Sequence, residues 1–147
     1  MAHQPVSRAL ILYSAQGALD RLARALAEGL DSVSVRADVV RVDPSRQVPI
    51  SLAPYDLVCV GSPSMGFFRG RPAPDVVEAL ARCTRLEGKR TAVFVRRSGM
   101  GSGRAIKALM AALERHGAWV EDFADLGSEQ EAREFGQRLK SLARART

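Results

Sequence analysis

The sequence predicts an α/β domain: five parallel strands joined by helical crossovers, with helices on both faces of the sheet. Three observations carry this. Short apolar runs without alternation, Ala9–Tyr13, Leu57–Val60 and Thr91–Val95, fit strands buried on both faces. Helical periodicity follows each run. The loops that leave these strands are built of small residues and glycine: Ser14–Gly17, Gly61–Pro72 and Arg96–Gly103. The pattern extends over the 147 residues as one domain, with no internal repeat or linker.

In chain order, the first strand runs into the loop Ser14-Ala15-Gln16-Gly17, then into a helix. Leu19, Leu22, Ala23, Leu26, Ala27 and Leu30 lie on one helical face. Val33–Val42 alternates well enough for a strand near a sheet edge. Asp43–Pro54, with three prolines, reads as a loop. After Leu57–Val60 comes the long loop to Pro72, carrying three glycines and two prolines. Loops of this length in compact domains are commonly functional. Pro74 suits the first turn of a helix reaching Cys83, with Val76, Val77 and Leu80 facing inward. The strand Thr91–Val95 follows Gly88. The next helix buries Ile106, Leu109, Met110 and Leu113 and closes at His116-Gly117. Ala118-Trp119-Val120 starts a short fifth strand. Ser128 and Glu131 form a capping box for the last helix, which buries Ala132, Phe135, Gly136, Leu139, Leu142 and Ala143.

Composition narrows the function. No apolar run approaches ~18 residues, so no span is expected. The opening Met1-Ala2-His3-Gln4-Pro5 lacks a charged segment followed by an apolar one, and the expected compartment is the cytoplasm. Cys59 and Cys83 then read as core-filling thiols, and they form no metal-ligand cluster with the two histidines. The net charge of +6 comes mostly from arginines spread along the chain and interleaved with acids. With 5% aromatic residues there is no stacking platform, and nucleic acid is not the expected partner. No nucleophilic triad or acid–base pair is visible, which argues against hydrolysis.

In open parallel sheets, ligands sit outside the carboxyl ends of the strands. The three small-residue loops all leave strands at that end. The first also opens a helix, where free backbone N–H groups and the helix dipole favour an anion.

On these residues the chain resembles the flavodoxins, especially the short-chain ones, from about Arg8 to Ala143. The match is carried by Tyr55-Asp56-Leu57-Val58-Cys59-Val60-Gly61-Ser62-Pro63-Ser64-Met65-Gly66, by Gly88–Phe94 leading to Gly99-Met100-Gly101-Ser102-Gly103, and by Glu134-Phe135-Gly136. The resemblance implies a three-layer sandwich with strand order 2-1-3-4-5 and non-covalent FMN. Ser14, Ala15, Gln16, Gly17, Ala18 and Leu19 would wrap the FMN phosphate. Ser62, Pro63, Ser64, Met65, Gly66 and Phe67 would form one flavin loop, with Met65 against one ring face. Gly66 would be the residue whose peptide reorients on reduction. Arg97, Ser98, Gly99, Met100, Gly101 and Gly103 would form the other loop, with Met100 at the second ring face.

Several positions depart from the family pattern. Its phosphate loop is roughly S-x-T-G-x-T; here Ala18 and Leu19 replace polar ligands. Each neutral hydrogen bond lost costs about 1 kcal/mol, so two weaken binding by about ten- to a thousand-fold. Methionines stand where the stacking aromatics usually do, and sulfur packs acceptably on rings. Phe67 stands where an acid often follows the glycine. The family is usually acidic, whereas Arg69, Arg71, Arg96, Arg97 and Arg104 are expected to share one rim here. The resemblance implies an FMN-binding electron carrier, rather than a stand-alone enzyme, serving a redox partner protein, and the arginine-rich rim suits an acidic one. Two alternatives stay open. One is a degenerate module without FMN that binds another anion or a protein through its arginine-rich rim. The other is a flavin oxidoreductase acting on a quinone- or porphyrin-like substrate.

Overall fold

The computed structural model describes residues 7–66 and 70–143. Phe67, Phe68 and Arg69 therefore lie outside the described residues.

The main sheet is built from β1 (Ser7–Tyr13), β2 (Val35–Arg41), β4 (Leu57–Pro63), β6 (Arg90–Arg96) and β7 (Trp119–Leu126). All its pairings are parallel, in the order β2-β1-β4-β6-β7, which is 2-1-3-4-5 when only these strands are counted. Two short strands, β3 (Ile50–Ser51) and β5 (Cys83–Thr84), pair with each other apart from it. The helices are α1 (Asp20–Ser32), α2 (Pro74–Arg82), α3 (Ser102–Arg115), α4 (Glu129–Arg138) and α5 (Lys140–Ala143).

Alternate residues of the central strands feed two cores. Ala9, Ile11, Cys59 and Phe94 meet α1 and α4, while Leu10, Leu12, Val58, Val60 and Val93 meet α2 and α3. A strand buried on both faces has no polar side to show, which is why the apolar runs do not alternate. Each fully buried Leu or Val contributes roughly 1.5–3 kcal/mol. α1 and α4 cross closely because each presents a glycine. A Cβ at Gly29 would overlap the Arg133 carbonyl, and one at Gly136 would overlap the Leu26 carbonyl.

Three elements differ from the sequence reading. The fifth strand is not short: β7 covers Trp119–Leu126 as an edge strand, with Trp119, Glu121, Phe123 and Asp125 exposed. Its acids are matched by arginines on neighbouring elements, Arg90 with Glu121 at 3.8 Å and Arg138 with Asp122 at 3.0 Å. The proline-rich loop contains β3, too short to show periodicity between Pro49 and Pro54. The last helix breaks at Leu139 into α4 and α5. The capping box at Ser128 is half formed. Ser128 Oγ accepts the Glu131 N–H at 3.1 Å, but the Glu131 carboxylate accepts from the Gly127 N–H and from Arg97 instead.

Candidate functional site at the carboxyl edge of the sheet

The parallel register brings the strand ends together. Tyr13 lies opposite Gly61, and Pro63 opposite Arg96, so the loops after β1, β4 and β6 leave the same edge. The Ser14 N–H donates to the Gly61 carbonyl at 3.0 Å, seating the first loop against β4.

That loop is fixed from behind by Asp75, the second residue of α2. Asp75 is buried, and its carboxylate accepts the Ser14 hydroxyl at 2.6 Å and the Ala15 N–H at 2.8 Å. Ser14 Oγ in turn accepts the Gln16 N–H at 3.0 Å. Ser14 is only 1% exposed, so its hydroxyl serves the loop and does not face an incoming ligand. At the tip, Gln16, Gly17 and Ala18 are exposed. Gly17 has φ +80° and Ala18 φ +52°, and the chain then enters the α-region at Leu19. The N–H groups of Gly17, Ala18 and Leu19 have no partner among the described residues. Successive free N–H groups in such a turn form an anion-binding concavity, and α1 adds its positive end with no side-chain cap. Glycine is required at 17, since a Cβ there would overlap Pro63. The Leu19 side chain is 1% exposed and lies in the core with α1. It contributes only its backbone to this surface.

Charges flank the loop. Asp20 accepts the Tyr13 hydroxyl at 2.6 Å and faces Arg41 at 3.9 Å. Burial, helped by that carboxylate, pushes the Tyr13 phenol up to about 12. Arg96 Nη1 donates to the Gly17 carbonyl at 2.6 Å.

The loops after β4 and β6 make the other end. Ser62 Oγ accepts the Ala73 N–H at 2.7 Å and donates to the Pro63 carbonyl at 2.7 Å, tying the start of α2 to the end of β4. Met65 and Arg71 form an antiparallel bridge, with Gly66 at φ +78°. Gly70 packs on Gly101 so closely that a Cβ on Gly70 would overlap the Gly101 carbonyl. Met65 is half-buried, while Ser98, Gly99, Gly103 and Met100, at 65% exposure, stand in solvent. The hydroxyls of Ser64 and Ser102 are buried without a hydrogen-bond partner among the described residues.

The expected arginine rim is divided. Arg96 turns to the first loop. Arg97 turns the other way, to Asp125 at 3.4 Å and Glu131 at 3.1 Å, beside a cavity of about 660 Å³ flanked by β7, α3 and α4. Arg71 and Arg104 are exposed near the Gly70–Gly101 contact. Asp75 was not visible as a site residue in the sequence. An acid in the first turn of a helix reads as a dipole partner, and nothing local announces a loop 60 residues earlier.

Both cysteines are free. Burial pushes the Cys59 thiol up to about 12 and Cys83 to about 11, so neither is a nucleophile near neutral pH. Among the described residues no group of His, Cys, Asp and Glu is placed to hold a metal, and no helix is long and apolar enough to cross a membrane.

A comparison with curated proteins found no match. Among solved structures, the chain is similar to oxidised flavodoxin 1 from Bacillus cereus, with 23% identity and a TM-score of 0.67 over 92% of this chain and 96% of that one. Two-electron reduced Megasphaera elsdenii flavodoxin is 20% identical, with a TM-score of 0.65 over 92% and 99%. A Streptococcus pneumonia flavodoxin is 20% identical, with a TM-score of 0.60 over 92% and 97%. At these identities the structures establish the fold. The family model described as Flavodoxin matches residues 10–138, nearly the whole sheet and its crossovers. The chain belongs to the flavodoxin family.

Proposed function

We propose that this protein binds FMN non-covalently at the carboxyl edge of its sheet and carries electrons to a partner protein. The observation that carries the reading is the loop after β1, where Asp75 holds the backbone so that the N–H groups of Gly17, Ala18 and Leu19 stay free. These groups fit a phosphate without the missing hydroxyls. The Ser64 and Ser102 hydroxyls, buried and without a partner among the described residues, fit the polar edge of a flavin ring between the other two loops.

FMN, when bound, supplies the one-electron chemistry, and the protein supplies position and electrostatics. Gly17–Leu19 would hold the phosphate, Met65 and Met100 would flank the ring, and Gly66, already at φ +78°, would allow the adjacent peptide to change orientation. Exposed Arg71 and Arg104 on this edge, and the net charge of +6, support an acidic partner surface. The two free cysteines are in keeping with the cytoplasm.

One observation favours the alternative of a module without FMN: the Gly70–Gly101 contact draws the two ring loops together. The visible absorption spectrum of purified, FMN-reconstituted protein after desalting decides between them. A retained flavin spectrum that responds reversibly to reductant and oxidant supports the carrier. A colourless protein supports the FMN-free module.

A further inference from the structure

We infer that Arg96 is the phosphate-binding cation of this chain, replacing with one charged group the polar side chains that its first loop lacks. The inference rests on the FMN reading. Three features of the structure lead to it.

The first is position. Arg96 ends β6, two strands from β1, yet its guanidinium reaches across to the Gly17 carbonyl at 2.6 Å. Gly17 begins the run of free N–H groups, so the cation is held at the rim of the anion-binding turn. Its remaining N–H donors have no partner among the described residues.

The second is the charge balance. Two carboxylates border this loop, Asp75 behind it and Asp20 at the start of α1. Both oppose a phosphate dianion through a partly desolvated medium, where charges act more strongly than in water. Asp20 is answered by Arg41 at 3.9 Å and the Tyr13 hydroxyl. Asp75 has hydrogen-bond donors but no cation within ion-pair distance among the described residues. Arg96 is the arginine held at the loop itself to offset them.

The third is the contrast with its neighbour. Arg97 is taken up by Asp125 and Glu131, whereas Arg96 is seated on a neutral carbonyl with no carboxylate partner among the described residues. A guanidinium offers a planar fork of donors that matches phosphate oxygens, so one side chain can supply two hydrogen bonds. Ala18 leaves the exposed face of the loop clear for it.

If Arg96 only clamped the loop, it would affect any flavin alike. If it binds phosphate, it separates FMN from riboflavin. The test is titration of free FMN and of riboflavin by flavin fluorescence quenching, at low and high salt, for the wild type, Arg96→Gln and Arg96→Lys. A charge-assisted bond predicts that Arg96→Gln weakens FMN binding by about ten- to a hundred-fold. Riboflavin binding should stay within about twofold, Arg96→Lys should recover part of the loss, and the salt dependence should flatten in Arg96→Gln. Unchanged FMN affinity in Arg96→Gln, or equal losses for FMN and riboflavin, overturns the inference and leaves the FMN reading standing. Absence of FMN binding by the wild type overturns both.

Discussion

The two ends of the site are built on different principles. At the first loop, Ser14, directly after β1, is hydrogen-bonded from two sides, to the Gly61 carbonyl of β4 and to the Asp75 carboxylate of α2. At the other end, two loops meet through a glycine–glycine contact, with Met100 in solvent and two hydroxyls without partners among the described residues. The first arrangement is held by the protein's own hydrogen bonds, so an anion bound there would need little ordering of the chain. On the proposed reading, the second would have to open at the Gly70–Gly101 contact for a planar ring to enter. Preformed backbone donors can stand in for lost side-chain ligands, because phosphate binding needs N–H groups in a fixed geometry more than it needs hydroxyls.

Breaking the rigid end gives the largest expected effect. Gly17→Ala places a methyl group into Pro63 at a backbone with φ +80°. Overpacking and left-handed strain together should cost about 3 kcal/mol in chemical denaturation. FMN affinity should fall more than tenfold. A wild-type-like denaturation midpoint would show that the loop is not held against β4.

Asp75→Ala comes next. It strands the Ser14 hydroxyl and the Ala15 N–H, for about 1–3 kcal/mol of stability. Asp75→Asn keeps an acceptor and should cost less, while removing a charge that opposes phosphate. Calorimetry with FMN should therefore find Asp75→Asn binding at least as tightly as wild type and Asp75→Ala binding more weakly. Equal losses in both variants would mean that the charge at 75 is immaterial.

A pH series probes the same end through Tyr13. Its phenol holds its proton up to about 12 in the folded protein and to about 10 when unfolded. The folded state therefore binds more protons between those values. This contribution is fully present below about pH 10 and is lost as pH rises toward 12. Urea midpoints of wild type should fall across that window, and those of Tyr13→Phe should fall less.

At the ring end the expected effects are smaller and of a different kind. Gly66→Ala should cost about 1 kcal/mol for its positive φ. Spectroelectrochemistry should find the one-electron potentials shifted, with oxidised-FMN affinity little changed. Unchanged potentials would exclude a backbone switch at this residue. The smallest expected effect is Ala18→Asn. Asparagine tolerates the left-handed region and adds a donor at an exposed position, so FMN should bind up to about tenfold more tightly. No gain would argue against phosphate at this loop.

The parallel sheet was legible because unalternating apolar runs leave few arrangements open, while its strand order was implied by the resemblance to the flavodoxins. Leu19 shows both the power and the limit of such reading. Its helical spacing from Leu22 and Leu26 placed it in the core, where it is found. The family pattern instead marked it as a lost phosphate ligand, and its buried side chain leaves only its backbone at the loop. The three loops were legible as one edge, since parallel strands must all end there. What escaped were contacts that depend on where a long side chain turns. Adjacent Arg96 and Arg97 look equivalent in sequence, but the alternation of a strand end sends one to Gly17 and the other to Asp125 and Glu131. Asp75 escaped because its partner loop is remote in sequence. β3 escaped because two residues carry no period.

On the proposed reading, most of the FMN binding energy comes from the phosphate at the first loop. Titrating the wild-type protein with FMN and with riboflavin under the same conditions isolates the phosphate. A preformed first loop predicts FMN binding at one site per chain, tighter than riboflavin by at least about a hundredfold, or roughly 3 kcal/mol. Equal affinity for the two flavins, or none for either, would contradict it.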